Sequence, residues 1–308
     1  MERWGTMAVN SKPKISVLMT VFNAELYIKE AVDSILMQTF KDWELIVVDN
    51  KSTDNTLNIL VECKDSRVKL VKLNENIGRV SALRLAYEKA SGEYIAILDA
   101  DDISNLNRLT KQSEYLDSHP NIGLVASWVE FIDQKGTQIG KFKPPTKAAD
   151  VHQILGFRNI TLHSSVMYRK KTADESGGYS KDFVWGHDFH LILSIAEKND
   201  ISILNSFLCR IRILKTSMTR SNNYKESIAL ENIMLFKKAG AVLRLNKKSK
   251  ELNRTAIAIA NLKYGFFLAS NNKNLFFKGF FLILRELMFN PAIIWRNGLS
   301  RRLLGFSF

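Results

Sequence analysis

The residues whose types and spacing best suit chemistry are three carboxylates that directly follow a short apolar run. Asp99, Asp101 and Asp102 come after Tyr94 to Leu98, a run that predicts a buried strand, so the acids stand together where that strand ends. Like charges at one place repel unless a cation or hydrogen-bond donors neutralise them. Because hard oxygen ligands suit Mg²⁺ and Mn²⁺, the spacing predicts a divalent metal with a phosphate-bearing ligand. An acidic turn that caps the following helix is the alternative.

Polar side chains also end the three strands predicted upstream, at Ile15 to Val21, Leu45 to Val48 and Val68 to Leu73. They are Thr20 and Asn23 at the first strand end, Asp49 to Asp54 at the second and Asn74 to Arg79 at the third. The carboxyl ends of parallel strands share one edge of a sheet, where open α/β sheets bind their ligands. Four polar clusters would therefore converge on one crevice, which favours a binding site over chance turn chemistry.

The elements that must position these clusters alternate between strand and helix. Helical periodicity is found at Glu25 to Met37, Thr53 to Cys63 (with Ser52 or Thr53 as its cap), Val80 to Ala90 and Asn105 to Asp117. A fifth strand is predicted at Gly123 to Ala126. This β-α-β-α order predicts an α/β fold with a mostly parallel central sheet flanked by helices.

The rest of the chain is first less regular and then helical. A strand is predicted at Ser164 to Tyr168 and a helix at His187 to Lys198, and beyond residue 222 the chain has helical patterns with little turn chemistry. The change in composition there predicts a main domain and a helical C-terminal region. Their bounds are residues 1–221, with halves at about 14–126 and 127–221, and residues 222–308.

The charge balance is the unusual part of the composition. The chain has 308 residues and a formal net charge of +13, which predicts an anionic partner such as membrane lipid, nucleic acid or a phosphorylated substrate. Cys63 and Cys209 lie far apart, which argues against a disulfide framework and agrees with a reducing compartment. Met1 to Lys14 has no signal-peptide core, and no apolar run reaches the roughly 18 residues of a membrane span. These features predict a cytoplasmic protein.

The order of the motifs resembles that of family-2 glycosyltransferases with the GT-A fold. The motifs are Thr-x-Phe-Asn from Thr20, Val-Asp-Asn-x-Ser-x-Asp from Val48, Asn-x-Gly from Asn76 and Gly-Glu-Tyr-Ile-x-x-x-Asp-Ala-Asp-Asp from Gly92. The resemblance extends from residue 14 to about residue 215. It implies a nucleotide-binding half followed by an acceptor half, a nucleotide diphosphate sugar as donor, and a metal held by a DxD motif.

The resemblance also assigns donor-binding roles. Asp99 and Asp101 match the DxD motif that holds Mn²⁺ or Mg²⁺ on the diphosphate, with Asp101 as the direct metal ligand. The other matching positions are Thr20, Phe22 and Asn23 near the base, the pair Asp49 and Asn50, and Arg79 near the base or diphosphate. Asn50 replaces a carboxylate that usually reads the base, but its amide still accepts a hydrogen bond from a pyrimidine N–H. A uridine or thymidine donor therefore stays open, and a UDP-sugar is expected first. A solvated arginine at a helix start is the alternative for Arg79.

Inverting transfer needs a base that takes the proton of the acceptor hydroxyl. The resemblance places that base at Asp188, and His187 stands where the family usually has a first acid. A helix N-terminal acid favoured by the helix dipole is the alternative for Asp188. Arg212 matches a position where the family often has histidine, and it is predicted to bind the diphosphate; a plain basic surface loop is the alternative. Asp102 receives no role.

The tail at 271–308 is aromatic and basic. In Phe276 to Met288, helical spacing collects Phe276, Phe280, Ile283 and Leu287 on one side, and Lys278 and Arg285 on the other. Such a segment suits an anionic membrane surface. Because acceptors in the family are often lipid-linked, we expect peripheral attachment at the inner face of the cell membrane. Packing on the domain, or on a second subunit in a homodimer, is the alternative.

Two other functions compete with glycosyl transfer. Sugar-nucleotide pyrophosphorylases usually have a glycine-rich, arginine-containing loop after the first strand, and Thr20 to Glu25 contains no glycine. A nucleic-acid-binding protein is suggested by charge alone, and the basic residues are spread along the chain rather than clustered in a recognised module. The Gln-x-x-Arg-Trp motif of processive synthases is absent from the sequence, so addition of a single sugar to a glycan or lipid-linked acceptor is expected.

Overall fold

A computed structural model of the protein describes residues 12–214, 225–271 and 276–289. In these residues the strands are β1 (Ile15–Val21), β2 (Trp43–Asp49), β3 (Val68–Lys72), β4 (Tyr94–Ile97), β5 (Ile103–Ser104), β6 (Ile122–Ile132), β7 (Gln138–Phe142), β8 (Met167–Arg169) and β9 (Asp200–Arg212). The helices are α1 (Ile28–Leu36), α2 (Thr56–Glu62), α3 (Arg79–Lys89), α4 (Arg108–Ser118), α5 (Ala148–Leu155), α6 (Lys170–Glu175), α7 (His187–Ala196), α8 (Lys225–Val242), α9 (Lys247–Asn271) and α10 (Phe276–Phe289). A 3₁₀ turn spans His163–Ser165.

The strands form a single sheet, which has nine strands in the described part of the chain. Its order is β3-β2-β1-β4-β8-β6-β9-β5, and β7 pairs with β6 at the side. The first four strands pair in parallel, and Val21 at the end of β1 lies opposite Asp49 at the end of β2. β8 is antiparallel to β4 and β6, while β6 and β9 run in parallel. The predicted α/β class, with a mostly parallel sheet flanked by helices, is confirmed.

Two apolar layers cover the two faces of this sheet. Successive side chains of a strand point to opposite faces, so Val17 and Met19 of β1 join one buried cluster and Leu18 joins the other. Helices α1, α2 and α4 contribute to the first cluster, and α3, α5 and α7 contribute to the second. Close packing on both faces holds the carboxyl ends of the strands, and the loops that leave them, in fixed positions.

The start of α2 differs from its prediction because the predicted caps have other partners. The helix begins at Thr56, not Thr53. The backbone N–H of Asn23 donates to Ser52 Oγ (3.0 Å), and the N–H of Thr53 donates to Asn23 Oδ1 (2.8 Å). Asp54 accepts instead from the N–H of Thr56 at 3.0 Å. The predicted capping by Ser52 or Thr53 is therefore wrong, and both residues connect two strand-end loops.

The predicted strand at Ser164 to Tyr168 is likewise displaced. Residues 163–165 form the 3₁₀ turn, in which Ser165 N donates to Leu162 O at 2.8 Å, and β8 begins at Met167. Ser164 and Ser165 are buried, so their hydroxyl groups need partners inside the protein. The turn brings Ser164 to the end of β4.

The C-terminal helices begin by packing on the sheet domain. Leu235 and Ala239 of α8 belong to the same buried cluster as Leu18 of β1. α9 and α10 contact each other through Ala258, Leu262 and Ile283. None of the helices in the described ranges is long and apolar enough to cross a membrane. The boundary at residues 221 and 222 stays a prediction, and the predicted basic tail beyond residue 289 lies outside the described residues.

Candidate active site

The loop after β1 is bound to the loop after β2. Asn23 lies there with a φ of 53° and Lys51 with a φ of 66°, both in the left-handed region where asparagine is better tolerated than most residues. Asn23 makes the two hydrogen bonds to Ser52 and Thr53 described above. Thr20 is partly buried at the end of β1, and Phe22 is 50% exposed beside it. The predicted base-side residues of the first strand therefore lie at the rim of the crevice.

The loop after β2 holds the loop after β3. Asn50 Oδ1 accepts from the N–H of Ile77 (2.9 Å), and Asn50 Nδ2 donates to Asn76 Oδ1 (2.9 Å). Lys51 Nζ adds a hydrogen bond to Asn74 O at 2.7 Å. Asp49 is buried and accepts from the N–H of Ser52. Both groups of the Asn50 amide are thus used within the protein, where they shape the wall of the crevice.

Arg79, the first residue of α3, connects the third strand end to the fourth. Its Nη2 atom donates to both oxygens of Asp99, at 2.7 and 2.8 Å. His163 Nδ1 lies 3.4 Å from Asp99 Oδ1 on the other side. Burial opposes ionisation of Asp99, but the Arg79 guanidinium, assisted by His163, lowers the pKa of Asp99 well below its ordinary value. Arg79 is therefore an ion-pair partner inside the site and not a solvated helix-start residue.

Asp102 is buried and serves as an anchor of the acidic loop. Its carboxylate accepts hydrogen bonds from Ser164 Oγ (2.5 Å) and from the backbone N–H of Arg212 (2.8 Å). Ser164 Oγ in turn accepts from the N–H of Asp99 at 3.0 Å. Burial and the nearby charges of Asp101 and Asp99 raise the pKa of Asp102 well above its ordinary value. The loop is thus held to the 3₁₀ turn and to β9.

Asp101 differs from both of its acidic neighbours because no side chain in the described residues donates a hydrogen bond to its carboxylate. Burial and the Asp99 charge raise the pKa of Asp101 to about 6. A partly buried carboxylate without a donor, next to another carboxylate, suits a hard divalent cation. Across the described residues, no three His, Cys, Asp or Glu side chains are grouped for a metal ion. A metal at Asp101 would therefore take most of its ligands from substrate and water.

Arg212 lies at the end of β9, and its guanidinium supports the acidic loop from behind. Nε donates to Asp101 O (3.0 Å), Nη1 to Asp133 O (3.0 Å) and Nη2 to Glu30 Oε2 (2.6 Å). The side chain is 2% exposed, so it is not the residue of a plain basic surface loop. Because every guanidinium nitrogen already donates to a protein oxygen, the predicted contact with a diphosphate would require some of these bonds to break.

Asp188 lies in the first turn of α7. Its Oδ2 atom accepts from Asn159 Nδ2 at 3.2 Å. The charges of Asp99, Asp188 and Asp101, in that order, raise the pKa of Arg79 although burial opposes the effect. Arg79 is therefore paired directly with Asp99, and the charges of Asp188 and Asp101 also act on its guanidinium.

His187, beside Asp188, is an uncharged and buried imidazole. Its Nδ1 lies 3.1 Å from Val184 O, and because a carbonyl can only accept, Nδ1 carries the proton. Nε2 is buried and has no hydrogen-bond partner among the described residues. Burial and the neighbouring His163 lower the pKa of His187 to about 4. The residue at the family's first-acid position is therefore neutral near pH 7.

The motif order and the site agree with the comparison with known proteins. The sequence model described as "Glycosyl transferase family 2" matches residues 16–176, which is more than half of the chain. The chain belongs to glycosyltransferase family 2. This assignment decides against the pyrophosphorylase and nucleic-acid-binding alternatives and makes the chain an enzyme.

Named relatives of this family-2 glycosyltransferase come from archaea and bacteria. An uncharacterized glycosyltransferase of Methanocaldococcus jannaschii is 36% identical over 208 residues, covering 66% of this chain and 71% of that protein. The UDP-Glc:alpha-D-GlcNAc-diphosphoundecaprenol beta-1,3-glucosyltransferase WfgD of Escherichia coli is 35% identical over 213 residues, covering 69% of this chain and 81% of that protein. Homologues of this glycosyltransferase thus act in polysaccharide and lipid-linked glycan biosynthesis.

Solved structures share the fold of this glycosyltransferase. TarS of S. aureus in complex with UDP-GlcNAc has a TM-score of 0.65 and 19% identity, over 86% of this chain and 79% of that chain. The mannosyltransferase PcManGT of Pyrobaculum calidifontis, in complex with GDP-Man and Mn²⁺, has a TM-score of 0.60 and 19% identity, over 96% and 86%. These likenesses establish the GT-A fold, for which a nucleotide sugar and a metal-binding DxD motif are typical.

Several residues of this glycosyltransferase site were not found by sequence reasoning. They are Asn159, which holds Asp188; His163, which faces Asp99; and Ser164, which binds Asp102. For His163 and Ser164 the signal is the segment 163–168, which resembles the family's acceptor-side strand but which a half-buried strand explains equally well, and Asn159 has no signal in the sequence. Their roles depend on contacts across more than 20 residues of sequence, so no local pattern specifies them.

Proposed function

We propose that this family-2 glycosyltransferase moves a single sugar, with inversion, from a UDP-sugar to a glycan or lipid-linked acceptor in surface polysaccharide biosynthesis. The observation that carries the proposal is the cluster around Arg79, whose pKa is raised by Asp99, Asp188 and Asp101. We therefore infer that the donor-binding acidic motif and the proton acceptor serve one site. Transfer needs both within reach of the anomeric carbon.

The donor is proposed to bind across the four joined strand ends. Thr20, Phe22 and Asn23 border the base, since the exposed ring of Phe22 offers a flat surface at the rim. Asp49 lies behind them, and Asn50, whose amide holds Asn76 and Ile77, gives this wall its shape. Because the Asn50 amide already makes hydrogen bonds to Asn76 and Ile77, selectivity for uracil would depend on the shape of this wall as well as on direct contact with the amide.

The diphosphate is proposed to lie between Arg79 and Asp101. A bound Mn²⁺ or Mg²⁺ would stabilise the negative charge that develops on the leaving diphosphate. Asp101 would hold that ion, assisted by Asp99, while the Arg79 guanidinium is close enough to exchange one Asp99 contact for a phosphate oxygen. Arg212 keeps the Asp101 carbonyl in place and becomes a phosphate ligand only if its bonds to the protein rearrange.

Asp188 is proposed to act as the catalytic base. The acceptor oxygen attacks the anomeric carbon, the bond from that carbon to the diphosphate oxygen breaks, and the acceptor proton passes to Asp188. Asn159 orients the carboxylate through its 3.2 Å hydrogen bond. Because histidine stands at position 187 in place of the family's first acid, no second carboxylate is adjacent in sequence to Asp188, and the lowered pKa of His187 leaves its imidazole uncharged.

The named relatives support the class of donor and acceptor. WfgD is named for UDP-Glc and a diphosphoundecaprenol acceptor, and it is 35% identical to this chain. TarS binds UDP-GlcNAc, whereas PcManGT binds GDP-Man with Mn²⁺. The higher identity to WfgD favours UDP over GDP for this chain.

The test is a transfer assay with a panel of UDP-sugars and GDP-mannose, with Mn²⁺ or Mg²⁺ and lipid-linked acceptors. We expect transfer from a UDP-sugar, with inverted anomeric configuration in the product by NMR. Asp188→Asn should bind UDP like the wild type but lose transfer by about 10²- to 10⁴-fold. Normal transfer by Asp188→Asn would reject the base, and transfer only from GDP-mannose would reject the donor class.

We further propose that α10 attaches the enzyme to an anionic membrane at the inner face of the cell. Phe277, Phe280 and Phe281 are 71%, 44% and 66% exposed on this helix, and Lys278 and Arg285 are exposed beside them. Ile283, predicted on the membrane side, instead packs against α9, so the proposed lipid-facing side is centred on Phe277 and Phe281. Aromatic rings next to cationic side chains suit the headgroup region of an anionic bilayer.

A further inference from the structure

The segment that leads into α7 presents three successive backbone N–H groups to one carboxylate of α8. Val184 N donates to Glu231 Oε1 at 3.0 Å, and Trp185 N and Gly186 N donate to Glu231 Oε2 at 2.9 and 2.8 Å. Glu231 is 8% exposed. Hydrogen bonds from N–H groups to an ionised carboxylate are about twice as strong as neutral ones, so this contact fixes the segment firmly.

The position of the contact relates Glu231 to the catalytic side of the crevice. Gly186 directly precedes α7, and Asp188 is the second residue of that helix. A negative charge at this helix end is also favoured by the helix dipole. Fixing the N–H groups of residues 184–186 therefore fixes the direction in which α7 starts, and with it the Asp188 side chain.

Other contacts run along the same pair of helices. Lys238 Nζ, two turns further along α8, lies 2.6 Å from Ser194 Oγ and 3.1 Å from His190 Nε2. Leu235 of α8 packs so closely on Gly186 that a Cβ atom at residue 186 would overlap its Cδ1. α8 is thus fitted against α7 from the entry segment to the last turn.

We propose that Glu231 is a positioning residue for Asp188, so that α8 forms part of the active site. This inference rests on the proposed function, since it assumes that Asp188 is the base. The match to the family model ends at residue 176, so Glu231 belongs to a region that the family motifs do not describe. The donor side is built from residues 20–101 and does not touch Glu231, so the residue should affect the chemical step and not donor binding.

The experiment compares Glu231→Gln with Glu226→Gln, which changes the other glutamate of α8, in the full chain. The amide introduced by Glu231→Gln keeps one acceptor oxygen but turns an NH₂ group toward the N–H donors, so at least one hydrogen bond is lost. We expect kcat to fall by about 10- to 100-fold, as for a displaced catalytic group, with the Kd of UDP in Mn²⁺ changed by less than about twofold. Glu226→Gln should match the wild type in both measurements.

Equal kcat values for the two variants would overturn the inference, and so would a parallel loss of UDP affinity and kcat in Glu231→Gln. If Glu231→Gln does not fold, kcat is measured for Glu231→Asp instead. This variant keeps the negative charge but its side chain is one methylene shorter, and a wild-type kcat would overturn the inference. Failure of the proposed function is separate, because it would appear as a wild-type protein that transfers no sugar from any donor tested.

Discussion

At the scale of single residues, three acids that are adjacent in sequence have three different environments. Asp99 is neutralised by Arg79, Asp102 is buried with Ser164 and the N–H of Arg212 as donors, and Asp101 has no side-chain donor in the described structure. The same side-chain chemistry therefore serves an ion pair, an anchor and an open carboxylate, the one proposed to bind the metal, because hydrogen bonding and desolvation differ from one residue to the next.

Replacing Asp101 and Asp102 should separate these roles. Asp101→Ala removes the open carboxylate, whose charge opposes folding at neutral pH, so we expect a free energy of unfolding at least equal to that of the wild type and loss of the Mn²⁺-dependent part of UDP binding by calorimetry. Asp102→Ala leaves Ser164 and the Arg212 N–H without their buried acceptor, so its free energy of unfolding in urea should fall by about 2 to 4 kcal/mol. Each variant controls for the other, and Mn²⁺-dependent binding retained by Asp101→Ala would contradict the metal assignment.

The pKa of His187 predicts how stability depends on pH. In the folded protein this pKa is about 4, whereas an unfolded histidine titrates near 6.5, so the unfolded chain binds the proton first. The contribution to stability is complete above about pH 6.5 and is lost as the pH falls toward 4. Between pH 7 and pH 5 the free energy of unfolding, measured in urea, should fall by roughly 1 to 2 kcal/mol less in His187→Gln than in the wild type. Equal slopes for His187→Gln and the wild type would contradict the prediction.

At the scale of elements, the site depends on how α7 and α8 fit against each other. α8 reaches the entry of α7 with Glu231 and its last turn with Lys238, while Leu235 fills the space that Gly186 leaves free. Glycine at position 186 is therefore required by close approach and not by backbone conformation, since its φ is −106°.

Gly186→Ala tests this fit. The new methyl group would overlap Cδ1 of the buried Leu235, so we expect the free energy of unfolding to fall by about 1 to 3 kcal/mol, together with a lower kcat, because Leu235 must shift within the contact between α7 and α8. Gly140→Ala is the matched control, since its Cβ would lie at an ordinary 3.6 Å from Phe131 and should cost less than about 0.5 kcal/mol. Similar stability losses for the two variants would refute the close fit.

At the scale of the whole molecule, the net charge of +13 and the exposed aromatic side of α10 point to an anionic surface. The full chain should float with vesicles that contain phosphatidylglycerol, and less with pure phosphatidylcholine, because electrostatic attraction adds to apolar burial. Phe277→Ser with Phe281→Ser should abolish flotation. Ile139→Ser, at a residue 57% exposed on β7, should not change it.

Flotation that is unchanged by the double replacement would contradict the assignment of α10 to the membrane. If the wild type instead forms a dimer by light scattering, and the double variant is monomeric, this side of α10 contacts a second copy of the chain. Loss of flotation in Ile139→Ser would show that flotation does not depend specifically on α10, which would also reject the assignment.

Much of the fold and part of the site could be predicted from the sequence. The apolar runs Ile15–Val21 and Tyr94–Leu98 were sufficient to predict two of the parallel strands. The polar residues after the strands predicted a common edge, because the carboxyl ends of parallel strands lie at the same side of a sheet. The pairing of Arg79 with Asp99, the structural use of Asn50 and the burial of Arg212 could not be predicted. Each depends on which side chain meets which across a long separation, and local patterns do not contain that information.

The sequence by itself determined the α/β class, the family and the position of the acidic motif after β4, because periodicity and motif order are properties of the chain. Only the tertiary structure decided which carboxylate of that motif is open, why Asp102 is present, and that α8 reaches the entry of the helix with Asp188. The physical reason is that charge, hydrogen bonding and burial are set by the neighbours of a side chain in space. For Glu231 and Gly186 those neighbours are 45 residues apart in the chain.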